Sequence, residues 1–331
     1  MIYIVNESHK PDFNIALEEY CFKRMGQHDK VFILWINEPS IIVGRHQNTM
    51  AEINEKFIQE NGIHVVRRIS GGGAVYHDLN NLNYTIISDE HNDSRTFDFK
   101  AFSEPVIQTL RELGVEAEFS GRNDLIIDGK KISGNAQAYI DGRVMHHGCI
   151  LFDVDLSVLS NALETSGDVV DAKGVKSVRS RVDNILPNLP VQITVTEFAD
   201  KILDHMQRKY PAMSEYRFNE EELQEIEKIR REKFGNWEWN YGSNPTAEVV
   251  RERRYPAGKI QLYINTKKGV IDDLTFFGTF FGINSDLSQV QSRLRGVKYS
   301  HDDVHEALSS FDTTPYFAGF SVDELTDAIV G

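Results

Sequence analysis

Two Asp-Gly pairs, Asp128-Gly129 and Asp141-Gly142, constrain this chain more than any other feature. A two-residue hairpin loop needs left-handed backbone at both central positions, and Asp-Gly supplies it at little cost. Leu125-Ile126-Ile127 and a run opening at Ile132 flank the first pair; the second joins the strand through Tyr139 to a strand over 144–152. The pattern predicts an antiparallel meander. With Asp128-Gly129 as the loop, Ile127 falls opposite Lys130, Ile126 opposite Lys131 and Asp124 opposite Ser133. Cross-strand partners share a face, as do alternate residues along a strand. Lys131, Ser133, Asn135, Gln137 and Asp124 are therefore expected on one polar face, with Leu125, Ile127 and Ile132 on the other. Lys130 lands on the apolar face near the hairpin end, where its head can snorkel to water. Lys131 is thus the lysine placed for an anion-handling pocket. His146 and His147 are adjacent on the next strand, so only one can reach a given site, and no third metal ligand stands near them. Cys149 on that strand reads as a small buried residue.

A second constraint lies upstream, in Arg67-Arg68-Ile69-Ser70-Gly71-Gly72-Gly73-Ala74-Val75-Tyr76-His77-Asp78, between strand-like runs at 63–66 and 84–87. Three glycines remove every Cβ, so the backbone can bend sharply and approach a ligand closely. Their N–H groups suit an anion, and the two arginines add forked donors for phosphate or carboxylate. No lysine follows the glycines, which excludes a P-loop, and Tyr76 stands where a dinucleotide fingerprint needs glycine.

The remaining elements follow from periodicity and caps. Asp12 is placed to cap a helix from Phe13, with Ala16, Leu17, Tyr20 and Cys21 on one face. Residues 31–35 and 40–43 read as strands, and 52–61 as a short helix ended by Gly62. Gly44-Arg45-His46-Gln47-Asn48 follows a strand end; its polar side chains fit a surface loop as well as a site. A helix over 97–113 closes at Gly114. Residues 159–181 lack periodicity and carry cations, a loop pattern. Thr194-Val195-Thr196-Glu197 is a capping box for a helix to Lys209 that buries Phe198, Ile202 and Met206. A further helix spans 220–233, and the aromatic run 237–242 reads as core. Beyond Gly242-Ser243-Asn244-Pro245, strands near 247–254, 259–265 and 270–277 precede helices near 286–294, 302–310 and 321–329.

The chain has 331 residues, 40% hydrophobic and 26% charged, enough for one large domain and a smaller one. Its 36 basic and 50 acidic side chains leave a net −14, which argues against nucleic acid as partner. The two cysteines, Cys21 and Cys149, make neither a disulfide scaffold nor a zinc pattern, no signal peptide opens the chain, and no apolar run spans a bilayer. A cytoplasmic protein with no membrane contact is expected.

The segment from Arg68 to Asp78 resembles the signature of lipoate–protein ligases. The likeness continues in Gly44 to Asn48, in Gly121-Arg122-Asn123-Asp124, in Lys131-Ile132-Ser133-Gly134-Asn135-Ala136 and in His146-His147-Gly148. It resumes at Ala172-Lys173-Gly174, at Ser177-Val178-Arg179-Ser180-Arg181 and at 237–242. The resemblance implies an α+β fold: a biotinyl/lipoyl ligase-like catalytic domain over 1–243 with mixed and antiparallel sheets, and a small C-terminal α+β domain over 247–331. It implies ATP and lipoate as substrates with Mg²⁺ as cofactor. Lipoyl-AMP would form first, and the lipoyl group would then pass to a lysine of a lipoyl carrier domain, of 2-oxoacid dehydrogenase acyltransferase subunits or of a glycine-cleavage H-type protein.

By the same resemblance, Lys131 is catalytic, touching both the lipoyl carboxylate and the α-phosphate. Arg68, Gly73, Ala74, Val75, Tyr76, His77, Asn123, Asp124, Arg179 and Arg181 would hold ATP or the adenylate, with Asp124 on the metal. Ser70, Gly71, Gly72, Gly73 and His147 would hold lipoate, and Arg179 and Arg181 would belong to a closing loop. The competing enzyme is an ATP-independent octanoyl or lipoyl transferase of the same fold with a nucleophilic cysteine. Such transferases carry that cysteine just before the position of Asp124, where this chain reads Ser120-Gly121-Arg122-Asn123. Cys149 is the thiol nearby. A biotin ligase would carry Gly-Arg-Gly-Arg in place of the glycine bend, and a relative that merely binds has no need of Lys131 and Asp124.

Overall fold

The computed structural model describes residues 1–25, 30–89, 98–120, 123–163, 182–242 and 249–331. The first part of the chain runs β1 (Ile2–Ile4), α1 (Pro11–Arg24), β2 (Val31–Ile36), β3 (Ser40–Val43), α2 (Thr49–Glu52), α3 (Glu55–Glu60), β4 (His64–Arg67), β5 (Val75–His77) and β6 (Asn81–Asp89). It continues with α4 (Phe99–Glu112), β7 (Glu118–Ser120), β8 (Asp124–Ile127), β9 (Lys130–Ile140), β10 (Arg143–Leu151), α5 (Leu156–Ala162), α6 (Val195–Lys209), β11 (Ser214–Tyr216), α7 (Glu220–Ile229) and α8 (Trp237–Tyr241). Last come β12 (Val249–Tyr255), β13 (Gly258–Lys267), β14 (Val270–Gly278), α9 (Ser288–Leu294), α10 (His301–Ser309) and α11 (Val322–Val330).

Both Asp-Gly pairs turn as expected, with φ of 49° and 76° at Asp128 and Gly129 and 50° and 77° at Asp141 and Gly142. The meander they create is the centre of an eight-stranded mixed sheet, ordered β11-β1-β2-β6-β10-β9-β8-β7. Its back face carries Phe32, Leu34, Leu82, Tyr84, Ile86 and Ile150 against α4 and α6, including Phe198, Ile202 and Met206. Its front face carries Val31, Ile33, Trp35, Ile87 and Met145 against α1, with Ile226 and Phe234 behind. A small sheet ordered β4-β3-β5 contributes Ile42, Val66 and Val75 to that front core.

The first hairpin departs from the expected register by one residue. Ile127 pairs with Lys130 and Ile126 with Lys131, but a bulge follows, so Leu125 meets Ser133 and Asp124 meets Gly134. An extra residue on one strand flips every side chain beyond it. Lys131 and Asp124 stay on the front face, now with Gly134 and Ala136. Ser133, Asn135 and Gln137, expected beside them, belong to the back-facing set. Asn135 there accepts from Tyr84 Oη at 2.6 Å.

Smaller departures have local causes. The first helix starts at Pro11, which suits a first-turn position because its missing N–H is no loss; Asp12 lies in that turn and is not its cap. The expected helix over 52–61 is shorter: Glu52 ends α2, and α3 begins after Asn54, which caps it by accepting from Phe57 N. The helix from Glu220 loses α geometry at Arg230, and a π turn over Arg230–Phe234 ends at Gly235. Trp237 is 64% exposed, so the aromatic run is not all core.

Residues 249–331 build their own core from Ile260, Leu262, Ile264, Phe276, Phe280, Phe317 and Ile329. This unit packs onto the glycine bend of the first. Gly278 N donates to His46 O at 2.8 Å, the His46 ring stacks on Phe280 at 4.8 Å, and Lys259 Nζ reaches Glu52 at 3.2 Å. A Cβ on Gly71 would stand 2.4 Å from Phe280 O, so glycine is required there by the neighbouring backbone. Of the expected boundary Gly242-Ser243-Asn244-Pro245, residues 243–245 lie outside the described residues.

Arg67 is a strut. It is 2% exposed and donates to Gly44 O, Gln47 O, Thr49 Oγ1, Trp239 O and Asn240 O at 2.6 to 3.2 Å. Arg67→Leu leaves these acceptors bare and should lower stability by about 3 kcal/mol, read from the urea midpoint at unchanged slope.

Buried histidines set the acid limit. Burial first, then Arg45 and Arg67, lowers His46 to about 3. Burial, then His147, holds His146 well below its usual value between Tyr84 Oη and Gln137 Nε2. Each is neutral when folded and protonates near pH 6.5 when unfolded. For His46 that contribution is whole above pH 6.5 and is lost as pH falls towards 3, roughly 2 kcal/mol by pH 5, and His146 acts in the same direction. His146→Phe should make the urea midpoint fall less steeply between pH 6.5 and 5; an unchanged slope contradicts this.

Candidate active site

A row of directly opposed residues crosses the front face: Trp35 on β2, Asn83 on β6, Cys149 on β10, Gly134 on β9 and Asp124 on β8. The bulge makes this row possible, because it brings Gly134 forward. The Lys131 side chain lies over that glycine; a Cβ there would be 2.9 Å from Nζ. Lys131 Nζ also meets Asp124 Oδ1 at 2.9 Å, with both side chains about one-third exposed (35% and 37%). Ile15 from α1 and Ile42 and Val75 from the small sheet close an apolar slot over the row. The slot therefore has an ammonium–carboxylate pair at one end and Trp35 at the other.

Of the residues expected in the site, Arg68, Gly72, Gly73, Ala74, Val75, His77, Asn123, Lys131 and His147 line this one cavity, and Asp124 borders it through Lys131. Tyr76 points the opposite way, into the core with Ile41 and Val43. Ser70 and Gly71 line a separate cavity behind the bend, with Arg45, His46, Lys233 and Trp239. Arg179 and Arg181 lie outside the described residues. That segment re-enters at Val182, bridged to Lys131, and Asp183 N donates to Lys131 O at 2.8 Å.

Arg68 shapes the bend. Its Nε donates to Ser70 Oγ, Nη1 to Ile42 O, and Nη2 to Gly71 O and Gly73 O, at 2.7 to 3.0 Å. The loop carbonyls thus turn towards the arginine. Burial pulls this guanidinium down to about 10, which leaves it charged at neutral pH. Its positive field reaches the cavity from a fixed position.

Behind the cavity runs a buried chain of hydrogen bonds. Trp35 Nε1 donates to Thr85 Oγ1, Thr85 donates to Glu18, and Glu18 also accepts from His147 Nδ1 at 3.0 Å. His147 Nε2 meets Ser70 Oγ at 2.6 Å, and that oxygen already accepts from Arg68 Nε. The Ser70 proton therefore goes to His147 Nε2, and the Nδ1 proton to Glu18. Both nitrogens of His147 are engaged, so the ring offers the cavity its carbon surface. Cys149, whose thiol donates to Gly134 O at 3.6 Å, has no free imidazole nitrogen at His147 to act as its base.

Glu18, Asn83 and Thr85 are site residues that the sequence reading missed. Each had a signal. Asn81, Asn83 and Thr85 interrupt an apolar strand at every second position, and Glu18 sits at helical spacing from Ile15 and Phe22, where a core residue belongs.

Residues 10–207 match the lipoyl protein ligase A/B catalytic domain, and residues 244–329 match the bacterial lipoate protein ligase C-terminus. The chain is 42% identical to lipoate-protein ligase LplJ of Bacillus subtilis, over 99% of this chain and 100% of that one. It is 40% identical to lipoate–protein ligase 1 of Staphylococcus aureus, over 97% of each. Among solved structures, LipL1 of P. falciparum in complex with lipoate shares the fold over 100% of this chain and 99% of that one, with a TM-score of 0.82 at 24% identity. Lipoate-protein ligase A bound with ATP superposes with a TM-score of 0.64 at 26% identity, covering 73% of this chain and 98% of that one. A bi-partite lipoate protein ligase from Thermoplasma acidophilum, from a structural analysis of that ligase and its E2 lipoyl domain, gives 0.66 at 28% identity, over 75% of this chain and 98% of that one. With both family models matched and relatives 42% and 40% identical over nearly their whole length, this chain belongs to the lipoate–protein ligase family.

Proposed function

We propose that the slot takes lipoate with its carboxylate at Lys131, joins it to the AMP of ATP, and passes the lipoyl group to a lysine of a carrier domain. One observation carries this reading: a slot closed by Ile15, Ile42 and Val75 ends at an ammonium group beside a carboxylate. In the first step a carboxylate oxygen attacks the α-phosphorus and pyrophosphate leaves. Two anions must approach, and the barrier falls when fixed cations neutralise the crowded phosphorus centre. Lys131 is the ammonium among the described residues lining the slot, and the Arg68 guanidinium adds a fixed positive field. In the second step the carrier's neutral lysine amine attacks the lipoyl carbonyl and AMP leaves with the bonding electrons.

Gly72, Gly73, Ala74 and Val75 would meet the adenylate through main-chain groups, and Asn123 with Asp124 would face the phosphates. Magnesium ion fits Asp124 only with phosphate oxygens completing its shell, the usual arrangement for this hard cation; the described residues hold no group of three or more His, Cys, Asp or Glu side chains for a metal. When bound it would draw charge from the leaving pyrophosphate. Arg179 and Arg181 are proposed to close over the adenylate from the segment that re-enters beside Lys131. Tyr76 and His77 are assigned less to the nucleotide than their place in the signature implied, since one faces the core and the other stands beside Trp35 at 6.1 Å. Carriers of the acyltransferase and glycine-cleavage types, and a cytoplasmic location, complete the proposal; both cysteines are free and buried, as a reducing compartment allows.

The test is mass spectrometry of an apo carrier domain incubated with the protein, lipoate and ATP. The mass of one lipoyl group should appear, and omitting ATP should abolish it; transfer without ATP favours the cysteine route. Lys131→Ala should reduce lipoate-dependent pyrophosphate release at least a thousandfold, and near-normal release removes Lys131 from its role.

A further inference from the structure

The end of the slot opposite Lys131 contains two buried donors that no described residue uses. His77 Nε2 and Asn83 Nδ2 are both buried and have no partner among the described residues, and both residues line the slot. Their chemistry is fixed by their other bonds. Asn37 Oδ1 accepts from Asn14 Nδ2, so the Asn37 amide nitrogen faces His77 Nδ1 at 3.1 Å and donates to it. His77 therefore carries its proton on Nε2. Burial, Arg68 and His147 lower its pKa to about 3, so the ring is neutral and Nε2–H is a donor. The Asn83 oxygen accepts from Asn81 Nδ2 at 2.9 Å, which leaves the Asn83 amide nitrogen pointing at the slot as a second donor. Trp35 and Ile15 add apolar surface to the same cavity, and the Arg68 and His147 groups that also line it are already hydrogen-bonded elsewhere.

Strand spacing gives the distance to these donors. Neighbouring strands lie about 4.8 Å apart, so from Gly134 under Lys131 to Asn83 is roughly 10 Å. An extended saturated chain advances roughly 1.25 Å per bond, so a carboxylate held at Lys131 puts the dithiolane sulfurs of lipoate roughly 8 to 9 Å away. Octanoate has the same eight carbons and reaches the same depth, with carbon and hydrogen where lipoate carries sulfur. Length cannot separate the two acids. A polar pair at that depth can.

We propose that His77 and Asn83 are the specificity-determining residues of this ligase, donating hydrogen bonds to the dithiolane sulfurs and so selecting lipoate over a plain C8 fatty acid. The inference rests on the reading of the slot as the lipoate site. A chain that fills the slot displaces water. Facing a methylene, the two donors stay unbonded, which costs binding; facing sulfur, a weak acceptor, they recover part of that loss. A site built to meet a polar group rejects the analogue that lacks it.

The test compares kcat/KM for acid-dependent pyrophosphate release with lipoate, octanoate and 5-cyclopentylpentanoate, the last matching the dithiolane in shape but lacking sulfur. In the unmodified protein lipoate should exceed 5-cyclopentylpentanoate about tenfold or more. In Asn83→Leu and in His77→Phe that ratio should shrink towards one, through KM more than kcat. The ratio is internal to each variant, so partial loss of folded protein does not disturb it, and the comparison of acids on the unmodified protein needs no variant. Equal turnover of all three acids by the unmodified protein overturns the inference and leaves the ligase reading intact. So does an unchanged ratio in both variants. No turnover with lipoate itself overturns both.

Discussion

One surplus residue in the first hairpin decides what this surface can do. Had the register continued unbroken from the Asp128-Gly129 turn, Ser133, Asn135 and Gln137 would have stood on the front face beside Lys131 and filled it with polar side chains. The bulge turns them back and brings Gly134 and Ala136 forward instead. Glycine then leaves room for the lysine stem to lie across the sheet, with its ammonium at the edge of an apolar floor. Bulges are common beside active sites because they re-aim side chains in this way. Everything else in the site is arranged around the slot so created.

The slot needs a roof held at constant height, and two arginines that look equivalent in sequence divide that work. Arg67 ties the strand end to Gly44, Gln47, Thr49 and α8. Arg68 gathers the carbonyls of the bend itself. The C-terminal unit then presses the Phe280 carbonyl against Gly71, where a Cβ would stand 2.4 Å away, and the Phe281 ring against Gly72, whose φ of 93° itself favours glycine. The three glycines thus serve packing as well as ligand approach. Beneath them the Trp35–Thr85–Glu18–His147–Ser70 chain is fully bonded, which fixes the wall without leaving a reactive base exposed.

Much of this was legible in the sequence because the signals were local. Turn chemistry placed both hairpins, caps placed α6, and alternation selected Lys131 over Lys130. What stayed hidden depended on contacts distant in sequence. An extra residue within a strand leaves no mark on the flanking turn, so the bulge could not be read from Asp128-Gly129. The division of roles between Arg67 and Arg68 depends on Asn240 and Ile42, far along the chain. Glu18 was not singled out, although its spacing from Ile15 put it on a buried face. The polar residues of β6 went unread, because their partners Trp35 and Glu18 are set by the strand order.

The central claim is a direction: the acyl chain lies across β9, β10 and β6, carboxyl end at Lys131 and ring end at Asn83. Anomalous diffraction from a crystal holding the adenylate of lipoate tests it directly, since sulfur and phosphorus can each be located. Two sulfur peaks between Asn83 and His77, with the phosphorus beside Lys131, are the predicted result. Sulfur peaks at the Lys131 end, or in the cavity behind Ser70, would contradict it.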